Sequence, residues 1–161
     1  KQTPNNQPAA SSAINQPPPI PVALPDKTTL QAAVPAYVQA CANDPTFQAL
    51  RQAVATTQTQ LQADPTNTEL QALLADQQDQ FWSHPLSQEG TRLSYAATQL
   101  RIAAKDQADH LQRASVLPNG VVLSSKCVEA SQHSAEAQAI KQELLAPVRE
   151  ALGPQLSLVY P

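Results

Sequence analysis

Apolar side chains along most of this chain recur every three or four residues, the repeat of an α-helix that buries one face. Leu30, Val34, Val38 and Cys41 share a side, which predicts a first helix over about 29–42, with Pro35 kinking or restarting it. Phe47, Leu50, Val54 and Leu61 continue the spacing, as do Leu70, Leu73, Leu74, Gln77 and Phe81. These two segments read as an antiparallel helical hairpin. A longer stripe of Leu93, Ala96, Ala97, Leu100, Ala104, Leu111 and Ala114 predicts a helix from about 86 or 91 to 115. Its alanines would let a neighbouring helix approach closely. Ala137, Ile140, Leu144, Val148 and Leu152 form the last stripe.

Local signals divide these segments. Asp44-Pro45-Thr46 and Asp64-Pro65-Thr66 each place a capping acid before a proline at the first helical position. Thr66 and Glu69 have the spacing of a capping box. His84-Pro85 should end the third helix. Asn119-Gly120, between Val116-Leu117 and Val121-Val122-Leu123, predicts a short β-hairpin near 116–123. Ser134 is the expected cap of the last helix, Pro147 its kink or division, and Gly153-Pro154 its end.

Both ends break the helical pattern. Residues 1–25 hold seven prolines and one charge, Lys1. The run Pro17, Pro18, Pro19, Ile20, Pro21, Val22, Ala23, Leu24 and Pro25 lacks the N–H donors a helix needs, so it should be extended and close to polyproline II. Residues 1–13 look like solvated linker. At the other end Leu156, Leu158 and Tyr160 alternate with Ser157 and Val159, like a strand with no sequence neighbour to pair with. The expected class is all-α: a helical domain over 29–161 with a Pro-rich extended arm over 1–28, a short β-hairpin and an extended tail over 154–161.

Composition supports helices around a thin core. Ala (27) and Gln (22), good helix formers and poor strand formers, make up almost a third of 161 residues, and only three glycines are present. The net charge is −3 and the ten Lys and Arg residues are scattered singly. No basic stripe exists to neutralise phosphates, which argues against nucleic acid as a partner. No apolar run reaches the 18 residues of a membrane span. Met is absent even at position 1, so the chain is expected to start after a signal peptide, a membrane anchor or an engineered boundary. In an oxidising compartment Cys41 and Cys127 would form a disulfide closing a loop of roughly 86 residues, contributing about 4–5 kcal/mol by loss of unfolded-chain entropy. The alternative is two buried free thiols.

Candidate chemistry is sparse. The chain contains no GxSxG, HExxH, CxxC or glycine-rich phosphate loop. Asp106 and His110 lie one helical turn apart, with Asp109 beside them, yet no third metal ligand is near in sequence. Cys127 and His133 can be drawn as nucleophile and base with nothing to orient them. His84 should sit at a helix C-terminus or be exposed. Asp76 with Asp79, and Glu143 with Glu150, look like solvated carboxylates. No cofactor, metal site or catalytic residue is expected.

Protein binding is the better expectation. Trp82 follows Phe81, and adjacent helical residues diverge by about 100°. Phe81 fits the apolar stripe, so Trp82 either packs beneath a neighbouring segment or meets a partner, where Trp is enriched. Ile20, Val22 and Leu24 in a preformed extended arm suit docking, and the same composition suits a spacer equally well. Leu156, Leu158 and Tyr160 would add a strand to a partner's sheet or pack back on the hairpin near Val121.

A Pro-, Ala- and Gln-rich spacer before a helical body resembles the layout of membrane-tethered periplasmic chaperones of Gram-negative bacteria, which hold a secreted enzyme such as a lipase or metalloprotease before type II export. The resemblance implies a periplasmic chain tethered to the inner membrane by a segment upstream of it. It also implies a 1:1 complex with one exported client, embraced by Gln16–Pro25 and Leu156–Tyr160. The lipase-specific members are longer than this chain. The competing expectation is a structural subunit of an envelope secretion, pilus or conjugation assembly.

Overall fold

A computed structural model of the protein describes residues 25–153; the proline-rich run from Pro17 to Leu24 and the tail residues Leu156, Leu158 and Tyr160 lie outside them. Six helices follow one another: α1 (Lys27–Ala42), α2 (Pro45–Ala63), α3 (Thr68–Ser83), α4 (Pro85–Ala114), α5 (Ser124–Ile140) and, after a π turn over Lys141–Leu145, α6 (Ala146–Leu152). The chain is all-α, and among the described residues no strand forms.

The caps explain where the helices begin. Asp26 and Asp44 accept the amides of Thr29 and Phe47, each at 2.8 Å, and Pro45 occupies the first turn of α2. The second Asp-Pro-Thr does not repeat this role. Asp64 closes α2, and Asn67 caps α3 by accepting the Leu70 amide at 3.0 Å. Asn67 also donates to Asp64 at 3.1 Å, so the expected Thr66–Glu69 box gives way to a turn held by two Asx side chains. His84 alone joins α3 to α4. It stands at the C-terminus of α3, as expected, and also caps α4, its Nδ1 accepting the Leu86 amide at 3.0 Å.

The last helical segment starts at Ser124, ten residues before the expected cap Ser134. It does divide at Pro147. Proline offers no N–H and its ring crowds the carbonyl four residues back. The chain widens just before it, and the Ala146 amide reaches Lys141 O, five residues away. This insertion shifts the buried stripe by one residue, so that Leu144 and Leu145 are both buried.

α4 is the axis of the fold and packs against α1, α3, α5, the π turn and α6. α1 runs antiparallel to it: Tyr37 Oη donates to Leu86 O at 2.6 Å, while Lys27 lies beside Leu100, Ala103 and Ala104. The main core gathers Leu30, Val34, Tyr37 and Cys41 with Phe47, Val54 and Phe81, the α4 residues Leu93, Ala96 and Ala97, and Leu144, Leu145, Val148 and Leu152. Tyr37, not Val38, is the deeper member of the α1 stripe. Gly90 is where α4 meets α1 and α6 most closely, since a Cβ there would fall 2.8 Å from Leu152 and inside contact distance of the Tyr37 hydroxyl. α5 joins that core through Ile140, but beyond Leu100 and before Ile140 the two helices bury only Ala104, Ala108, Leu111, Ala130 and Ala137, which lie outside it. They form a helical hairpin projecting from it.

Candidate functional site

The projecting hairpin ends in an apolar tip. Ser115 closes α4 with its hydroxyl donating to Gln112 O at 2.6 Å. The chain then reverses through Leu117-Pro118-Asn119-Gly120, where the Gly120 amide donates to Leu117 O at 2.8 Å. Gly120 has φ +87, a region side chains disfavour, and nothing lies near its Cβ position, so it is needed for conformation and not for space. Asn119 Oδ1 accepts the Val121 amide at 3.1 Å. Leu117 N donates to Val121 O at 2.9 Å and Leu123 N to Ser115 O, leaving Val116 opposite Val122 as a single antiparallel bridge. The expected hairpin of strands is therefore reduced to one bridged pair, because α4 and α5 leave too few residues between them for a ladder.

Val116 (54% exposed), Val121 (50%) and Val122 (58%) stand out from this turn, with Leu117 beside them and Val128 (57%) on the first turns of α5. Between Ala114 and Val128 the only charge is Lys126. Scattered exposed aliphatics are ordinary, but these five cluster on one protruding element as an apolar patch. A groove lined by Cys127, Val128, Ser131, Gln132 and Ala135 continues the patch along α5. The sequence pattern assigns Val116, Leu117, Val121 and Val122 to the arms of a hairpin, and only the tertiary structure shows that they stay exposed. In the sequence this segment is 15 residues with six large aliphatics and one charge between two polar helix surfaces.

The other candidates are not brought together into a site. Cys41 is buried near the N-terminal end of α4, and Cys127 sits near its C-terminal end; both are free. More than 20 residues of α4 separate the two levels, about 30 Å or more at 1.5 Å per residue, so the expected disulfide cannot close. Burial pushes the Cys41 thiol up, which keeps it protonated and unreactive. Cys127 and His133 are six residues apart on one helix and so face different sides; His133 Nδ1 instead lies 3.6 Å from Glu136, which also approaches Lys27 at 3.6 Å. Asp106, Asp109 and His110 are exposed, and among the described residues no three such side chains gather where they could hold a metal ion. Glu143 and Glu150 are exposed and apart, and Asp76 accepts Gln80 Nε2 at 2.9 Å.

Trp82 does not present its ring to solvent. It is 8% exposed and meets the edge of Phe81 at 5.1 Å, while Phe81 stacks on Phe47 at 5.6 Å. Both adjacent aromatics can be buried because the one-residue joint at His84 folds α4 back over the last turn of α3. A cleft of about 330 Å³ between α1, α2 and α6 is lined by Val38, Cys41, Arg51 and Pro147 among others. Its polar groups serve the helix ends: Gln48 donates to Cys41 O at 2.7 Å, and Arg51 donates to Gln48 Oε1 and Glu150 O.

Fold and tip together define a small helical protein with a projecting, apolar-tipped hairpin. No helix among the described residues is long and apolar enough to cross a membrane. Comparison with known proteins finds no matching family model, no similar curated protein and no similar solved structure.

Proposed function

We propose that this protein is a non-catalytic binding protein, a chaperone or adaptor that holds one protein client. The observation that carries this reading is the cluster of half-exposed Val116, Val121, Val122 and Val128 on the only lightly charged segment of a projecting hairpin. Burying such side chains against a partner is worth about 25 cal/mol per Å² of apolar surface, before the costs of association. The proline-rich sequence from Pro17 to Leu24 suits a second contact, and the Pro-, Ala- and Gln-rich layout supports an exported client and a periplasmic chain tethered upstream. With both cysteines free, that location rests on the arm and the layout alone.

A photo-reactive residue placed at Val121 in cells of the source organism tests the reading. The expected product is one cross-linked species of 1:1 mass, containing an exported protein whose refolding yield in vitro rises when the chain is added. Val121→Asp should remove that gain. A client that refolds equally well with either form would refute the proposal. The alternative, a structural subunit of an envelope assembly, predicts cross-links to a membrane-associated complex of many subunits.

A further inference from the structure

The tip is a half-built sheet. In an antiparallel pair, a residue whose neighbours carry the cross-strand bonds points its own N–H and C=O outward. Val116 and Val122 are such a pair, flanked by Leu117 N to Val121 O and Leu123 N to Ser115 O. Val122 thus turns a backbone donor and acceptor away from its partner strand, and its side chain is 58% exposed. An open edge with exposed β-branched residues is a template for another strand.

The sequence carries one segment suited to it, Leu156-Ser157-Leu158-Val159-Tyr160, which is uncharged and alternates with period two. Reach argues against the two meeting within one molecule. Leu152 packs on Gly90, so the chain leaves α6 at the level of the α4 N-terminal turns. From Gly90 to Ala114 α4 rises about 36 Å. The seven residues from Gly153 to Tyr160 span at most about 25 Å fully extended. That reach is shorter than the rise of α4, which favours the tip of a second copy over the chain's own as the acceptor.

We propose that residues 156–160 of one copy pair with the Val122 edge of another. Leu156, Leu158 and Tyr160 then lie along the face that shows Val116 and Val122, and Val159 along the face of Leu117 and Val121. The chain leaves Leu152 beside the N-terminal turns of α4 while the acceptor edge lies past its C-terminal turn, so such a contact is head-to-tail and assembles open chains or a ring rather than a closed pair. This holds whether or not the tip also meets a client.

Val122→Pro removes the outward N–H and leaves both bonds within the hairpin intact. Leu156→Asp with Leu158→Asp disables the tail outside the helical body. Sedimentation velocity of the full chain should show a mean mass that climbs with concentration. Each variant alone should be monomeric, with association at least tenfold weaker, and unchanged circular dichroism should show that it folds. An equimolar mixture of the two should form a dimer that grows no further, because one supplies the only working edge and the other the only working tail. A labelled peptide of residues 154–161 should bind the tail variant and not Val122→Pro. A monomeric full chain at hundreds of micromolar overturns the proposal. So does a tail variant that associates as the full chain does, which would mean tip-to-tip contact.

Discussion

Replacing Gly90 by alanine should destabilise the protein, although alanine is the better helix former. Gly90 lies inside α4, where the exchange by itself would gain about 1 kcal/mol. Against this, the new methyl would meet Leu152 Cγ and Cδ1 at 2.8 Å and overlap the Tyr37 hydroxyl. Leu152 is fully buried and Tyr37 is 4% exposed, so neither can swing into solvent. Tyr37 also loses its 2.6 Å bond to Leu86 O if it moves, about 1 kcal/mol, with the phenol left buried and unpaired. Overpacking of this kind typically costs about 1–3 kcal/mol. The net effect should be a loss of about 1–3 kcal/mol. At about 3–5 °C per kcal/mol for a body of this size, the melting midpoint falls by about 3–15 °C. Urea unfolding followed at 222 nm measures it. Tyr37→Phe removes the clashing oxygen, so the double variant should lose less than the sum of the singles. A Gly90→Ala protein more stable than wild type, or strict additivity with Tyr37→Phe, would show that α1 and α6 do not crowd α4 as described.

Three further outcomes follow from the same contacts. Burial raises the Tyr37 phenol far above its ordinary value of 10.0 and the Cys41 thiol above 9.0, so both hold their protons in the folded state while the unfolded chain releases them. Their contribution is complete below about pH 9 and is lost as pH rises, at up to about 1.4 kcal/mol per pH unit for each group; the urea midpoint should fall between pH 9 and 11, less steeply in Tyr37→Phe, and a flat profile would contradict the burial. Asn67→Ala should cost about 1 kcal/mol as the lost cap of α3, whereas Thr66→Ala should cost a few tenths at most, and equal effects in thermal melts would restore the Asp-Pro-Thr reading. Dithiothreitol should leave the melting midpoint unchanged, and iodoacetamide should modify Cys127 and spare Cys41 until urea is added; a shift on reduction would reveal a bridge.

The chain's own periodicity determines which faces are buried. Leu30, Val34, Cys41, Phe47, Val54, Phe81, Leu93, Ala96, Ala97, Ile140, Leu144 and Val148 stand where 3/4 spacing puts them, because one face of a helix must leave water whichever neighbour covers it. Local chemistry also places the Asp44 cap, the break at Pro147 and the Gly120 turn, each of which depends on groups a few residues apart. Tertiary structure decides what depends on distance between elements. Asp64 and Asn67 compete for one helix start, and the turn between two packed helices selects Asn67. Trp82 is buried because α4 folds back at His84, and no property of residue 82 itself contains that. The 30-residue length of α4 keeps Cys41 from Cys127. It also carries Val116, Val121 and Val122 beyond the reach of the core, so side chains that the sequence would send inward remain in contact with water.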